Sequence, residues 1–162
     1  MYLLGTAVLL DLRKARSGAA DPKLAAWAGG VPREQLFVSM LTLAEIEAYA
    51  ARAPGGEAGE AIRRWIDAQL VPAFGSHLLP VDLAVARRRG QVMLASDRHA
   101  LVAATALEHA LTLVTYEAAA YRGVRLKLFD PRRYDPEEVA DDWRAAAQRS
   151  GPLWFRNLFL RS

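Results

Sequence analysis

The chain of 162 residues has no cysteine, no long apolar run and no large excess of charge of either sign. The lack of cysteine excludes a disulfide framework and a zinc site built on thiolates. No apolar run approaches the roughly 18 residues that a membrane-spanning helix needs. The first residues, Met1–Gly5, lack the basic start of a signal peptide and are typical of a strand. We therefore expect a cytoplasmic protein that does not enter a membrane.

The composition indicates one ordered domain with a full hydrophobic core. Hydrophobic residues make up 52% of the chain and charged residues 24%, which excludes low-complexity disorder. The net charge of +3 is too small to indicate a nucleic-acid-binding protein by itself. The basic clusters Arg63-Arg64 and Arg87–Arg89 are more simply explained as solvated helix faces than as phosphate sites.

Short apolar runs typical of strands alternate with longer helical patterns. The predicted strands are Tyr2–Leu4, Leu36–Ser39, Leu78–Leu79, Leu111–Val114 and Val124–Phe129. The predicted helices cover residues 8–13, 22–29, 42–53, 57–70, 83–94 and 97–109. This alternation predicts a three-layer α/β/α sandwich around a mostly parallel sheet of four or five strands. Ligands of such sheets bind beyond the carboxyl ends of the strands, here near Gly5-Thr6, Ser39 and Thr115-Tyr116.

The composition changes after Pro131, and we divide the chain into a domain of residues 1–131 and a C-terminal extension of residues 132–162. Asp135-Pro136 followed by two acids is a strong helix start, so a helix is predicted from there to Arg149. An apolar tail follows, which either docks on its own domain or contacts a partner or a second copy. The expected contact residues are Trp154, Phe155, Leu158, Phe159 and Leu160.

Four segments of the sequence carry a resemblance to a known family. They are Met1–Leu10, Ser39-x-x-Thr42-x-x-Glu45-Ile46, His99–Ala106 and Leu111–Glu117. In this order they resemble the four motifs of the PIN-domain family, above all those of its VapC and FitB toxins. The resemblance covers residues 1–131 and implies that the α/β sandwich is PIN-like.

The resemblance also implies an activity. In the family, four acidic positions meet at the strand ends and hold one or two Mg²⁺ or Mn²⁺ ions, and a metal-bound water attacks an RNA phosphodiester. The family's toxins are usually dimers, and a small antitoxin keeps them inactive by inserting a segment near the site. The matching positions in this sequence are Gly5, Glu45, His99 and Glu117.

This sequence departs from the family's motifs at two of the four acidic positions. Gly5 and His99 stand where the family has acids, so only Glu45 and Glu117 are carboxylates. Hydroxyl residues around the motifs persist as supporting polar groups, and these are Thr6, Ser39, Thr42 and Thr115. We therefore predict a degraded ribonuclease centre that lacks a complete catalytic set.

The surviving residues have two interpretations. Thr42 and Glu45 have the spacing of a capping box, Glu117 falls in a predicted first helical turn, and His99 fits a helix start. Each of them then serves helix stability alone. Alternatively, Glu45, His99 and Glu117 form a rebuilt metal site, because one imidazole and two carboxylates suit Mn²⁺, Fe²⁺ or Zn²⁺.

From these observations we predict a pseudo-nuclease, which is a PIN fold that binds a protein partner, antitoxin-like or other, and needs no cofactor. The first alternative is an active, bacterial endoribonuclease toxin of a toxin–antitoxin pair, dependent on Mg²⁺ or Mn²⁺. The second is a non-catalytic RNA-binding protein that uses Arg87–Arg89. A homodimer fits the resemblance, and the apolar tail offers a second route to self-association.

Overall fold

The computed structural model describes residues 1–135 and Leu158, and within them the fold is built on one five-stranded sheet. The strands are β1 (Tyr2–Leu4), β2 (Leu36–Ser39), β3 (Leu78–Leu79), β4 (Thr112–Val114) and β5 (Leu128–Phe129). They lie in the order β3-β2-β1-β4-β5, and every pair is parallel. The prediction of an α/β fold with a parallel sheet is therefore confirmed.

Helices connect the strands and supply the outer layers. They are α1 (Thr6–Arg13), α2 (Pro22–Gly30), α3 (Met40–Arg52), α4 (Gly56–Trp65), α5 (Val71–Phe74), α6 (Leu83–Arg89) and α7 (Asp97–Glu108). Among the described residues, no helix is long and apolar enough to cross a membrane.

Alternation along the strands assigns the helices to the two faces of the sheet. Leu4 and Val114 pack with α1 to α5 in one buried cluster, whereas their neighbours Leu3 and Leu113 pack with α6 and α7 in another. Successive side chains of a strand point to opposite faces, so the two clusters lie on opposite sides of the sheet. The molecule is thus the three-layer sandwich that the sequence predicts.

The sheet has its switch point at β1, and this locates the crevice where a site is expected. β1 pairs with β2 on one side and with β4 on the other, with Leu4 opposite both Val38 and Val114. The Gly5 N–H donates to the Val114 carbonyl at 2.9 Å, so the two chains are still joined one residue past the strand end. Ligands of open parallel sheets bind outside the carboxyl ends at such a point.

The start of α3 corrects the predicted capping box. The helix begins at Met40 rather than Thr42, and the Ser39 hydroxyl accepts a hydrogen bond from the Leu41 N–H at 3.1 Å. Thr42 is buried inside the first turn and is not the cap. The prediction was wrong because β2 runs into α3 without a loop, so the last strand residue is also the helix cap.

Other helix and strand bounds also differ from the predictions. Pro72 does not end a helix; residues Ile66–Leu70 form a wider π-helical turn, and Pro72 lies in the first turn of α5, where its missing N–H is not needed. Helix α6 ends at Arg89 instead of Leu94.

The described part of the C-terminal extension packs on the main domain. Tyr134 and Leu158 are 7% and 2% exposed and belong to the core cluster of α1 to α5. Leu158 therefore docks on its own domain, which is one of the two interpretations that the sequence left open for the apolar tail. Trp154, Phe155, Phe159, Leu160 and the predicted extension helix lie outside the described residues.

The junction of β2 and α3 yields a stability prediction. Replacing Ser39 by Ala removes the acceptor for the Leu41 N–H, so we expect a loss of about 1 kcal/mol in the free energy of unfolding. Denaturant unfolding measures the loss. Thr42→Val is the control, because Thr42 makes no capping bond to α3 within the described residues. A larger loss for Thr42→Val than for Ser39→Ala contradicts the assignment of the cap.

Candidate active site

The carboxyl ends of β1 and β4 bring together side chains from four separate parts of the chain. Thr6 opens α1 directly after β1, Glu45 comes from α3, Arg98 from the first turn of α7, and Glu117 follows β4. These residues line a narrow cavity together with Gly5, Val8, Val102, Thr115 and Tyr121. Its volume of about 10 Å³ suffices for roughly one water molecule.

Arg98 connects the two carboxylates of the site. Its Nε donates to Glu45 Oε1 at 2.6 Å, and its second terminal nitrogen, Nη2, donates to Glu117 Oε2 at 3.1 Å. Thr6 Oγ1 donates to the other Glu45 oxygen, Oε2. A guanidinium offers five N–H donors in a fixed plane, which suits simultaneous contact with two acids. The site is therefore closed by charge-assisted hydrogen bonds among its own residues.

His99 is the third contact of the same guanidinium. Arg98 Nη1 lies 2.6 Å from His99 Nε2, and that ring nitrogen is 3.6 Å from Glu117 Oε2. Since the guanidinium only donates, His99 Nε2 is the acceptor in this contact. The ring meets Tyr121 edge-on at 5.3 Å between centroids. His99 is thus a member of the cluster and not a surface residue.

Two of the four predicted supporting hydroxyls lie at the cavity. Besides Thr6, the Thr115 hydroxyl accepts a hydrogen bond from the Glu117 N–H at 3.0 Å and so fixes the backbone after β4. Glu117 itself precedes a short 3₁₀ turn instead of lying in a helical turn as predicted. Ser39 and Thr42 belong to the start of α3 and do not line the cavity.

The electrostatics of the cluster favour ionised Glu117 and neutral Tyr121. Partial burial alone would raise the pKa of Glu117, but the hydrogen bond and charge of Arg98 hold it below its ordinary value of 4.5. Burial raises the pKa of Tyr121 to about 12. Tyr121 is therefore a neutral phenol at physiological pH, and its aromatic ring is part of the lining of the cavity.

Gly5 occupies the first of the four positions, and the spacing of the strands excludes a larger residue there. A Cβ atom built on Gly5 would lie 2.9 Å from the Val114 carbonyl oxygen, a separation that real Cβ atoms essentially never show. An acidic side chain at this position would require the backbone of β1 or β4 to shift. The absence of the first acid is therefore consistent with the backbone around it.

Comparison with known proteins relates this arrangement to toxins. No profile of a known protein family matches the chain. The sequence is 27% identical to "VapC ribonuclease Y4jK" of Sinorhizobium fredii and 24% identical to "Toxin FitB" of Neisseria gonorrhoeae, each over 141 residues. Both alignments cover 81% of this chain, with 97% of the first relative and 98% of the second.

Solved structures show the same fold. The crystal structure of FitAcB from Neisseria gonorrhoeae superposes with a TM-score of 0.74 at 23% identity, covering 82% of this chain and 99% of that one. VapBC2 of Rickettsia felis, bound to a promoter DNA fragment, gives 0.56 at 16% identity, with 80% and 98% covered. The chain is therefore similar in sequence to VapC/FitB-like toxins and has their PIN-like fold. About a fifth of it lies outside these matches, which span nearly the whole of each relative.

The residues of this PIN domain do not fit the Mg²⁺ or Mn²⁺ that the resemblance implies. Within residues 1–135 and Leu158, no three His, Asp or Glu side chains are grouped so that they could hold a metal ion. Both site carboxylates are bound to Arg98, and Gly5 offers no ligand. A metal held by Glu45, His99 and Glu117 stays a prediction from the sequence.

Asp97 does not replace the missing third acid. Its carboxylate binds Arg89 at 2.5 Å, and its side chain is 85% exposed. Arg88, the neighbour of Arg89, binds Glu108 at 3.0 Å. Two of the three arginines of the α6 cluster therefore form ion pairs with α7, as expected for a solvated helix face. RNA binding through this cluster stays a prediction.

The sequence analysis missed Arg98, although it stands next to His99. The signal that was available is charge balance, because two carboxylates that converge without a metal need a cation.

A second missed residue is Asp11 of α1, which accepts a hydrogen bond from the Tyr116 hydroxyl at 2.9 Å. Arg132 stacks on the Tyr116 ring at 4.6 Å and so ties the segment after β5 to the one after β4.

The strand spacing at Gly5 yields a prediction that needs no assay of activity. Gly5→Ala places a methyl group against the Val114 carbonyl, so we expect a loss of about 1–3 kcal/mol in unfolding free energy. Gly29→Ala in α2 is the matched control, because no atom lies within 4 Å of its added Cβ. Thermal or denaturant unfolding measures both. Equal stability of the two variants contradicts the close approach at Gly5.

The Arg98 bridge yields a pH prediction. Because the folded-state pKa of Glu117 is lowered, its ionised form stabilises the fold above pH 4.5, and this contribution is lost as the pH falls through the folded value. In Arg98→Gln we expect the pKa of Glu117 to rise, as followed by NMR titration of the carboxyl carbon. The pKa of Asp130, held low by Arg132, should not move and serves as the internal control. An unchanged Glu117 pKa contradicts the bridge.

Proposed function

We propose that this PIN domain is a pseudo-nuclease, a cytoplasmic protein-binding subunit whose partner is an antitoxin-like protein. The single observation that carries the proposal is the Arg98 guanidinium between Glu45 and Glu117. It supplies, from within the chain, the positive charge that the carboxylates of a nuclease centre take from a metal ion.

Binding of a divalent ion would have to displace this guanidinium. Hydrogen bonds between ionised groups are roughly twice as strong as those between neutral groups, and Arg98 makes two of them in addition to its contact with His99. Ion binding therefore has an electrostatic cost at this site.

The proposal that this chain binds a protein partner depends on what its relatives are. The matched relatives have the names of toxins, and the matched structures include complexes of such toxins with their antitoxins, some with DNA. We infer that protein binding, as a monomer or homodimer, is the function that persists.

The first experiment is a cleavage assay on single-stranded and structured RNA with Mg²⁺ and Mn²⁺ supplied separately. We expect no cleavage above the no-protein background, and no heat of metal binding by calorimetry, since Arg98 occupies both carboxylates. An active VapC-type ribonuclease is the positive control. Cleavage that disappears with chelator and in Glu45→Gln contradicts the proposal and makes this chain a metal-dependent endoribonuclease.

The partner is tested by co-expression and co-purification with a candidate antitoxin-like protein, and light scattering gives the stoichiometry of the complex. We expect a stable complex whose formation is insensitive to chelator. The full chain is also titrated with RNA at low and high salt. Salt-dependent RNA binding without a protein complex contradicts the proposed partner and favours the RNA-binding alternative.

A further inference from the structure

A groove beside the candidate active site lies between helices α1 and α3. Its volume is about 500 Å³, and Thr6, Glu45 and Arg98 line both this groove and the site cavity, so the two are continuous. From the site, the lining extends along α1 to Leu10 and along α3 to Arg52. A concave space of this volume accommodates several side chains of a bound segment.

Small and apolar side chains supply part of the lining of this groove. Ala44 and Ala48 are four residues apart on α3 and therefore lie on one side of the helix. The ring of Tyr49 stands next to them and is 52% exposed, and Leu10 of α1 is half-buried. An exposed tyrosine beside two alanines is typical of a surface that packs against another chain.

The charged side chains of the groove give it a net positive charge. They are Arg52, Arg98 and Glu45, so two cations stand against one acid. Both oxygens of Glu45 already accept a hydrogen bond, Oε1 from Arg98 Nε and Oε2 from Thr6 Oγ1. A cation brought by a partner would therefore compete with Arg98 for this carboxylate, and the groove does not favour it.

The two cations of the groove keep donors that suit a carboxylate. Arg52 is exposed and forms no ion pair within the described part of the chain. Arg98 is 41% exposed and uses three of its five N–H groups, in its contacts with Glu45, Glu117 and His99. An anion that enters the groove thus meets one unpaired guanidinium and the unused donors of another.

We propose that this groove binds a segment of the partner protein that carries a carboxylate next to an apolar side chain. The inference rests on the proposed function and deepens it, because it assigns the chemistry of the partner. The carboxylate pairs with Arg52, and the apolar side chain packs on Tyr49 and the two alanines. A second copy of the chain suits the groove less well, since two molecules of net charge +3 repel each other.

The charge preference follows from the way the site is closed. Because Arg98 satisfies Glu45 from within the chain, the groove offers no unpaired acid to a partner and instead presents cations. The same groove without Arg98 would expose a carboxylate and select a basic segment. One internal arginine thus determines which sign of charge the partner must carry.

The first test uses two small probes that differ only in the sign of their charge. Hydrocinnamate and phenethylamine each carry a phenyl ring on a chain of two methylenes, which ends in a carboxylate or an ammonium. The full, ¹⁵N-enriched chain is titrated with each probe and followed by NMR. We expect hydrocinnamate to shift the amide signals of the α1–α3 groove at millimolar concentration and phenethylamine to leave them in place. Equal shifts with both probes, or none with hydrocinnamate, overturn the proposal.

Variants of Arg52 test the origin of the preference. Arg52→Gln should weaken hydrocinnamate binding about 2- to 5-fold, the range of an exposed ion pair, and Arg52→Glu should transfer the preference to phenethylamine. Arg63→Gln is the matched control, because Arg63 is also an exposed arginine but pairs with Glu47 at 3.7 Å outside the groove. An unchanged preference in Arg52→Glu overturns the proposal.

The complex with the partner separates this inference from the proposed function. For a partner obtained by co-purification, Arg52→Glu should weaken the complex about 10-fold or more, because it places like charges together, whereas Arg63→Glu should have little effect. Equal binding by both variants overturns the inference and leaves the proposed function standing. If the unaltered chain forms no complex, the proposed function fails, and the probe titration still decides the inference. An oligomer of the chain alone that Arg52→Glu dissociates would make the groove an interface between copies and overturn the inference.

Discussion

The arrangement of the site depends on one cation held between two acids. Arg98 joins α7 to Glu45 of α3 and to Glu117 after β4, and Glu45 in turn accepts from Thr6 of α1. Without the guanidinium, two carboxylates would face each other across a cavity the size of one water, and like charges so close are unfavourable. Charge balance therefore accounts for the two carboxylates of the site, because each has a partner that the chain itself provides.

Glycine at position 5 and an arginine between the two carboxylates are consistent with each other. Gly5 lets β1 approach the Val114 carbonyl so closely that no side chain fits, and the Gly5 N–H continues the sheet one residue further. A carboxylate there would have competed with Glu45 and Glu117 for the single guanidinium. The backbone and the side chains thus agree on one arrangement, in which both carboxylates of the site are bound by residues of the same chain.

Local patterns in the sequence were sufficient for most of the fold. The strand Leu36–Ser39 and the start of the helix at Pro22 agree with the prediction, because hydrophobic runs and helix-start residues act over a few positions. The predicted cap of α3 was wrong because Ser39 is both the last residue of β2 and the cap of the helix. The prediction of Thr42 as the cap assumed a loop between the strand and the helix. Arg98 was missed for a different reason: its partner Glu45 is 53 positions away, so their contact depends on the strand order and not on any local motif.

The direct passage from strand to helix at two places has a mechanical consequence. One residue separates β1 from α1, and α3 begins immediately after β2. The helices that carry Thr6 and Glu45 are therefore joined almost directly to the central strands of the sheet. Glu117 instead follows β4 on an irregular stretch of backbone, secured by the Thr115 hydroxyl. Thr6 and Glu45 are therefore fixed by regular secondary structure next to the sheet, whereas the position of Glu117 depends on its contacts with Thr115 and Arg98.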